Sequence, residues 1–439
     1  MTTAATPNPT LGELLDAWPS MDAPERAATF AALDDEEATD LFLALSAADQ
    51  GSFLSGLAVG ARRLWARLLA PDDAVDVAQS LEADAAVLLD ALDAPTRAQV
   101  QALLAYREDE AGGLMDPRYA VLRPEFTVDE AIAYLRRQYA AREDPTYYTY
   151  VLSADHRLVG VVTMRELIRA AGRAKVSEIM TREVLSVRED ADQEEVARMM
   201  ARYDFLALPV VDAEGRMKGV VTVDDAIDVM TEEATEDIQK LGGTEALDAP
   251  YLQVDFFDLL KKRAGWLTVL FVGEMLTATA MAYFEDAIAK AVVLALFIPL
   301  IISSGGNAGS QATTLIVRAL GVGDVRMEDA MRVLRREVLS GLALGCVLAS
   351  IGFLRIVLWP TRDSLYGPHY MLIGAAVSIS VVGVVAWGTI SGAMLPFLLR
   401  RLKLDPATAS APMVATLVDV TGLIIYFSVA SAVLRGTIL

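Results

Sequence analysis

Along the 439-residue chain the spacing of hydrophobic positions changes twice. Up to about residue 113, apolar residues recur every three or four places in short stretches: "ELLDAW", "RAATFAAL", "ATDLFLAL", "DDAVDVAQSL" and "DAAVLLDAL", each broken by Asp, Pro or Gly. That period is one face of an α-helix, so this part predicts an all-α domain of short amphipathic helices, possible in solenoid form. From 114 to about 237, short β-branched runs alternate with amphipathic stretches, the pattern of strand, turn, strand and helix. From 264 to the end, apolar runs pass the length of about 20 residues that a helix needs to cross a bilayer. Five such runs cover 264–284, 289–320, 338–359, 370–399 and 410–434. The second and fourth exceed the minimum, which predicts tilt, a kink or a break. The fold class is therefore multidomain: an all-α N-terminal domain (1–113), an α/β region (114–237), an amphipathic connector helix (238–263) and an α-helical membrane domain of five spans (264–439).

Charge sharpens this division. The formal charge of −21 splits into −26 over residues 1–260 and +5 over 261–439. So acidic a surface argues against nucleic acid, whose phosphates require clustered Lys and Arg, and suits cations instead. Basic residues flank alternate ends of the spans, with "KKR" at 261–263, Arg326, Arg332, Arg335 and Arg336, and "RRLK" at 400–403. By the positive-inside rule these ends are cytoplasmic. The expected protein is a multi-pass protein of the cell (inner) membrane, with its N-terminal half in the cytosol and its C-terminus outside. The start, "MTTAATPNPTLGELL", has no basic segment followed by an apolar core, so no cleaved signal peptide is expected. The single cysteine, Cys346, falls in an apolar run and reads as packing.

The spans carry three departures from plain apolar sequence. "SSGGNAGSQATT" (303–314) puts three glycines and several hydroxyl or amide side chains in the second run. It reads as a weakened helix with polar oxygens at membrane depth, tolerated where it faces protein or water. The alternative is close helix packing through small residues. Pro396 in the fourth run reads as a kink. Asp419 sits near the middle of the fifth run, where an ionised carboxylate costs about 2.5–3.5 kcal/mol on insertion scales and needs a partner or water. No Lys or Arg lies inside the neighbouring spans except Arg355, near the outer end of the third, so an ion pathway is the better reading. Glu274 is a second intramembrane acid, open between a pathway role and a protonated or interfacial side chain.

The α/β region repeats itself. "YVLSADHRLVGVVTMRELI" (150–168) matches "LPVVDAEGRMKGVVTVDDAI" (208–227), with GVVT recurring 59 residues apart, and "MDPRYAVLRPEFTVDEAIAYL" pairs with "MTREVLSVREDADQEEVARMM". This resembles a tandem pair of cystathionine-β-synthase (CBS) domains, a module that binds adenine nucleotides or metal and regulates its neighbour. Thr222 and Asp225 fit that family's Thr-x-x-Asp ribose pattern, while the first copy has Thr163 followed by Glu166. The resemblance thus implies one nucleotide pocket, for ATP or a relative of it.

Beyond the repeat, "DDAIDVMTEEATEDIQKLG" (224–242) crowds Asp225, Asp228, Glu232, Glu233, Glu236 and Asp237 onto a helix with almost no interleaved Lys or Arg. Asp72 and Asp76 stand four apart in "PDDAVD". Facing carboxylates about 4 Å apart repel by about 1 kcal/mol in water and about 4 at an effective dielectric of 20. A divalent cation between them reverses the sign; the alternative is a solvated acidic face.

The order of acidic helical domain, CBS pair, connector "YLQVDFFDLLKKR", and five spans carrying "GGNAGSQ" and "ATLVDVTG" resembles the MgtE family of Mg²⁺ channels over nearly the whole chain. The resemblance implies a Mg²⁺-selective uptake channel, not an enzyme, that works as a homodimer with the fifth spans lining the pore. Its cytosolic domains would close it when Mg²⁺ is plentiful. It implies Asp419 as the pore acid that receives hydrated Mg²⁺ and Asn307 as a pore-lining amide. It also implies Asp72, Asp76, Asp204, Asp225, Asp228, Glu233, Glu236 and Asp237 as sensing ligands, with Asp405 at the inner pore end. Ala411 departs from the pattern, since some members carry an amide there. The competing readings are an ion-coupled secondary transporter of divalent cations and a non-transporting membrane Mg²⁺ sensor.

Overall fold

A computed structural model describes residues 10–141, 148–247, 251–252 and 254–437. The chain forms two compact units, Met1–Met230 and Thr231–Leu439, each with its own core.

In the first unit the polar breaks of the N-terminal sequence are helix caps. Helices follow one another from Leu11–Ala17 to Ala94–Leu103. Asp22 accepts the Glu25 N–H while the Glu25 side chain returns to the Asp22 N–H, and Asp34 with Glu37 does the same. Pro24, Pro71 and Pro95 occupy first turns, where a missing N–H costs nothing. Phe30, Phe42, Phe53 and Trp65 pack face and edge at centroid separations of 4.2–6.0 Å. The helix that matters for the site is α1 (Pro71–Ser80), which buries Ala74, Val75, Val77 and Ala78 and carries Asp72 and Asp73 in its first turn.

The repeat takes the same form twice. Strand β1 (Ala120–Leu122) runs parallel to β2 (Thr149–Leu152), which is antiparallel to β3 (Leu158–Val162). Strand β4 (Val187–Arg188), helix α2 (Gln193–Tyr203), β5 (Ala207–Val211) and β6 (Met217–Thr222) rebuild the arrangement. The copies then cross. The Asp116 N–H donates to the Val220 carbonyl at 2.8 Å and the Val220 N–H returns to Asp116 at 3.0 Å; Thr181 and Val161 exchange the equivalent pair at 3.0 Å. The glycine of each GVVT lies at a crossing. A Cβ on Gly219 would stand 2.8 Å from the Asp116 carbonyl oxygen, and one on Gly160 would stand 3.1 Å from that of Thr181. The second copy shares a core with the helical domain: Phe42, Leu54 and Val77 belong to one buried cluster with Val196, Leu208 and Val221. From β6 the chain enters α3 (Val223–Leu241), the predicted acidic helix.

The second unit contains the apolar helices α4 (Phe256–Tyr283), α5 (Ile298–Gly321), α6 (Ala330–Val357), α7 (Tyr370–Arg401) and α8 (Ala411–Leu434). With their flanking turns, five helices among the described residues are long and apolar enough to cross a membrane. The overlong second run is broken, as its length predicts: Val292–Phe297 is a 3₁₀ turn, and the buried Tyr426 hydroxyl donates to its Leu294 carbonyl at 2.8 Å. The long fourth run is a single helix that continues through Pro396.

Three expectations need correction. "SSGGNAGSQATT" does not break α5. Its glycines serve packing: a Cβ on Gly388 of α7 would stand 2.4 Å from the Gly305 carbonyl oxygen, one on Gly392 would stand 2.2 Å from that of Gly309, and the Thr313 hydroxyl donates to the Gly392 carbonyl at 2.8 Å. Several polar side chains there are satisfied along the helix or on a neighbour, since Ser304 donates to Leu300, Thr314 to Ser310 and Ser310 to Ala411. The connector 238–263 is not one helix either: α3 ends at Leu241, "FFDLLKKR" opens α4, and residues 248–250 and 253 lie outside the described residues. Cys346 is exposed on α6 and fills no core in this chain.

Gly219→Ala forces its methyl against Met115 and Asp116. We expect it to destabilise the protein by about 1–3 kcal/mol, lowering the thermal midpoint of the purified chain, whereas Gly60→Ala, with open space around it, should cost far less. Equal midpoints for the two variants would refute the crossing.

Candidate functional site

The acids singled out in the sequence fall into three places. In the membrane half, α8 lies along α5 where the latter carries its small residues: a Cβ on Gly306 would stand 3.5 Å from the Ala415 methyl and 3.7 Å from the Asp419 Oδ1. The glycine thus leaves the carboxylate bare backbone as a neighbour. Asn307, the next residue, is exposed and donates to the Ser303 hydroxyl at 3.3 Å. Among the described residues, no side chain hydrogen-bonds or ion-pairs with Asp419. Arg355, the cation considered for it, stacks over Trp359 with its guanidinium 3.2 Å from the ring centroid. Glu274 of α4 lines a cleft of about 620 Å³ with Thr268, Phe271 and Thr416, and its charge is near enough to repel that of Asp419.

A second group lies within the first unit. Asp72 has one carboxylate oxygen, Oδ1, wholly out of solvent and without a hydrogen bond among the described residues. Burial pushes its carboxyl well above the usual carboxylate range, and the negative charges of Asp116, Asp225 and Asp73 push it further. Burial likewise raises Asp225 to about 7, against the pull of the Thr222 hydroxyl, which donates to its Oδ2 at 2.5 Å. Asp73 and Asp228 are raised for the same first reason, with Asp116 and Asp224 contributing to Asp73, and Asp224 to Asp228. Thr222 and Asp225 form a helix cap at the start of α3, and Thr163 with Glu166 forms the same cap in the first copy. The two Thr-x-x-acid patterns are thus alike in local structure. Asp76, one turn along α1, is exposed, and so is Asp204, which closes α2 in a left-handed conformation (φ 54°).

The third group joins the end of α3 to the start of α8. Asp405 caps the short turn Pro406–Thr408 with Oδ1 on the Ala407 N–H at 2.8 Å, and its Oδ2 accepts from Lys240 Nζ at 2.6 Å. Lys240 also pairs with Glu236. Burial alone would lower the Lys240 ammonium, but its hydrogen bonds to Asp405 and Glu236 outweigh that and hold it above the usual lysine range. Asp237 is raised by burial, then by the charges of Asp405 and Glu233.

Sequence reasoning missed three members of these groups. Asp116 opens the first repeat copy, and its pairing with Val220 carries it to the Thr222–Asp225 turn. Asp73 is the unremarked neighbour of Asp72. Lys240 is the basic residue passed over in a helix read as almost devoid of them. The repeat alignment could have found Asp116, because it stands at the crossing position in "MDPR".

Among the described residues no three acidic, imidazole or thiol groups gather closely enough to hold a metal ion by themselves. Paired carboxylates with a buried, unbonded oxygen nevertheless suit a hard cation that keeps part of its water shell, the habit of Mg²⁺.

The raised carboxyls fix a pH dependence. A carboxyl lifted in the folded state binds its proton more tightly there than when unfolded, so folding stability falls as pH rises from about 4, the unfolded value, to about 7. In chelator, the first unit should therefore gain stability as pH is lowered from 8 to 6, and Asp225→Asn should flatten that slope. Thermal unfolding followed by circular dichroism across this range checks it; an unchanged slope in the variant would count against the assignment.

The geometry can be set beside known proteins. The family model described as a divalent cation transporter, MgtE, matches residues 298–429, that of the MgtE intracellular N domain matches 11–109, and that of the CBS domain matches 111–173 and 176–232. The magnesium transporter MgtE of Thermus thermophilus is 42% identical over 428 residues, which is 97% of this chain and 93% of the relative. That of Bacillus subtilis is 33% identical over 356 residues, 79% of this chain and 75% of the relative. Among solved structures, the cytosolic domain of the Mg²⁺ channel MgtE in complex with ATP is 43% identical, covers 51% of this chain and 91% of its own, and aligns with a TM-score of 0.47. Motif order, repeat, five apolar helices and identity over nearly the full length agree: the chain belongs to the MgtE family of divalent cation transporters.

Proposed function

We propose that this protein is a Mg²⁺-selective channel for magnesium uptake that cytosolic Mg²⁺ closes. The observation that carries the reading is Asp419: a carboxylate in the middle of an apolar helix, without an ion pair among the described residues, set against Gly306 and beside the exposed Asn307. Left in lipid, such a group is costly; facing water and a permeant cation, it is favourable. The relatives named as magnesium transporters support Mg²⁺ as the ion. Mg²⁺ sheds water reluctantly, so a few carboxylates and oxygen dipoles reading the ion through its shell suffice for a site.

One subunit offers a poor conduit. Helix α4 buries no residue within the chain, and Asn307 is exposed. A C₂ homodimer would face two Asp419 side chains across the axis, and its isologous interface would cover exposed apolar surface. The protein lies in the cell membrane with its acidic half in the cytosol and its C-terminus outside, following the basic flanks.

For gating, Asp72, Asp76, Asp204, Asp225, Asp228, Glu233, Glu236, Asp237 and Asp405 act as a distributed sensor. Without Mg²⁺ their mutual repulsion disfavours the compact cytosolic half; bound Mg²⁺ favours it and holds the connector, residues 238–263, at the inner pore mouth. The ion shifts the equilibrium only by its difference in affinity for the two states. Thr222 and Asp225 are the candidate contacts for ATP, and the same Asp225 then couples nucleotide to metal.

Asp419→Ala should leave a folded protein but lower Mg²⁺ uptake into liposomes by about tenfold or more, since it removes charge that no salt bridge holds. Wild-type flux in this variant would sink the pore assignment. Flux that depends on a H⁺ or Na⁺ gradient would favour a coupled transporter, and no flux from the wild type a sensor. Neutralising Asp225, Asp228, Glu233 and Glu236 together should raise the Mg²⁺ concentration that half-closes the pore; closure at the wild-type concentration would reduce the acidic helix to a solvated face.

A further inference from the structure

We propose that Lys240 is a tethered cation that holds the end of α3 on the root of α8 in the absence of Mg²⁺, giving the gate a resting latch that Mg²⁺ strengthens. This deepens the gating reading above and rests on it for its functional meaning, though the contact itself stands on geometry.

Lys240 Nζ lies 2.6 Å from Asp405 Oδ2 and also pairs with Glu236. The other oxygen of Asp405 is committed to the Ala407 N–H, so a pull on Lys240 acts directly on the turn Pro406–Thr408. Two residues on, Ser410 caps α8 by accepting the Met413 N–H at 3.3 Å, and it accepts the Trp266 indole N–H at 3.2 Å. After Lys240 the chain reverses at Gly243 (φ 74°), where a Cβ would stand 2.9 Å from the Trp266 ring and 3.2 Å from Pro412. The end of α3, the first turns of α4 and the start of α8 therefore meet at one place, and Lys240 supplies an ionic contact there. Asp237 points toward the end of α5, its Oδ2 3.8 Å from where a Gly321 Cβ would stand.

The charges make the role specific. Glu233, Glu236, Asp237 and Asp405 are anions near one another, and Lys240 offsets one of them. The charge that remains is negative and open to a divalent cation. The ammonium and Mg²⁺ therefore add rather than compete: the lysine keeps the helix end docked, and the ion offsets charge that the lysine leaves. A flexible four-carbon stem ending in a compact charge with three donors suits this bridging of two carboxylates.

The side chains of Lys240 and Asp405 are 25% and 37% exposed, so solvent screens the pair and its effect is modest. In full-length protein with Mg²⁺ removed by chelator, Lys240→Gln should speed amide exchange in residues 238–244 and 405–413 by about two- to fivefold. It should raise the resting open probability in liposome patches by a similar factor, while Lys240→Arg keeps both near wild type. Wild-type exchange rates in Lys240→Gln would overturn the latch, whatever Mg²⁺ does to either protein. If Mg²⁺ fails to close the wild type, the gating reading falls instead, and exchange alone still decides the latch.

Discussion

A carboxylate withdrawn from water must find a proton, a counter-charge or a route back to water, and this chain uses a different answer at each of its acidic places. Around Asp72 and Asp225 burial lifts both carboxyls toward holding a proton, and a cation would favour their charged forms. At the root of α8 the answer is the ammonium of Lys240. At Asp419 the spans supply neither a hydrogen bond nor an ion pair among the described residues, which leaves water and whatever ion it carries. The architecture can be read as the means of holding these charges where each answer is available.

Close backbone approach is what holds the membrane site. Helix α7 is flanked by glycine pairs four residues apart: Gly305 and Gly309 of α5 meet its Gly388 and Gly392, while Gly341 and Gly345 of α6 lie against Ala386 and Val382. In a bilayer, where apolar side chains gain little from leaving lipid, such small-residue contacts are a main source of helix association. The same stretch of α5 presents Gly306 to α8, where its bare backbone faces Ala415 and the Asp419 carboxylate. Packing and function thus draw on neighbouring glycines of one helix.

Much of this was legible in the sequence, for physical reasons that differ by region. The five spans follow from length and hydropathy, because a bilayer admits few alternatives. The repeat was visible because GVVT recurs, and Asp419 because a charge in an apolar run has no cheap explanation. The polar stretch in α5 was misread as a weakened helix: a glycine that breaks a helix in water can pack one in a membrane, and only the partners Gly388 and Gly392 decide which. Asp116 and Lys240 were hidden because their importance comes from chain crossings and from a contact 165 residues away in sequence. The connector reads as one helix in sequence because its amphipathic period runs on into the first span, whereas α3 ends at Leu241 and α4 begins at Phe256.

The crossing at the two GVVT glycines has a further consequence. Each copy of the repeat lends its opening segment to the edge of the other, Asp116 to Val220 and Thr181 to Val161. Neither copy is then a module that could have been duplicated as a finished object and later joined. An ancestor holding one copy would have left an edge strand unpaired, and a second identical chain is the simplest thing to have covered it. The tandem thus has the pairing of a symmetric dimer within one chain, and the helical domain, which shares a core with the second copy, makes the surroundings of the two halves unequal.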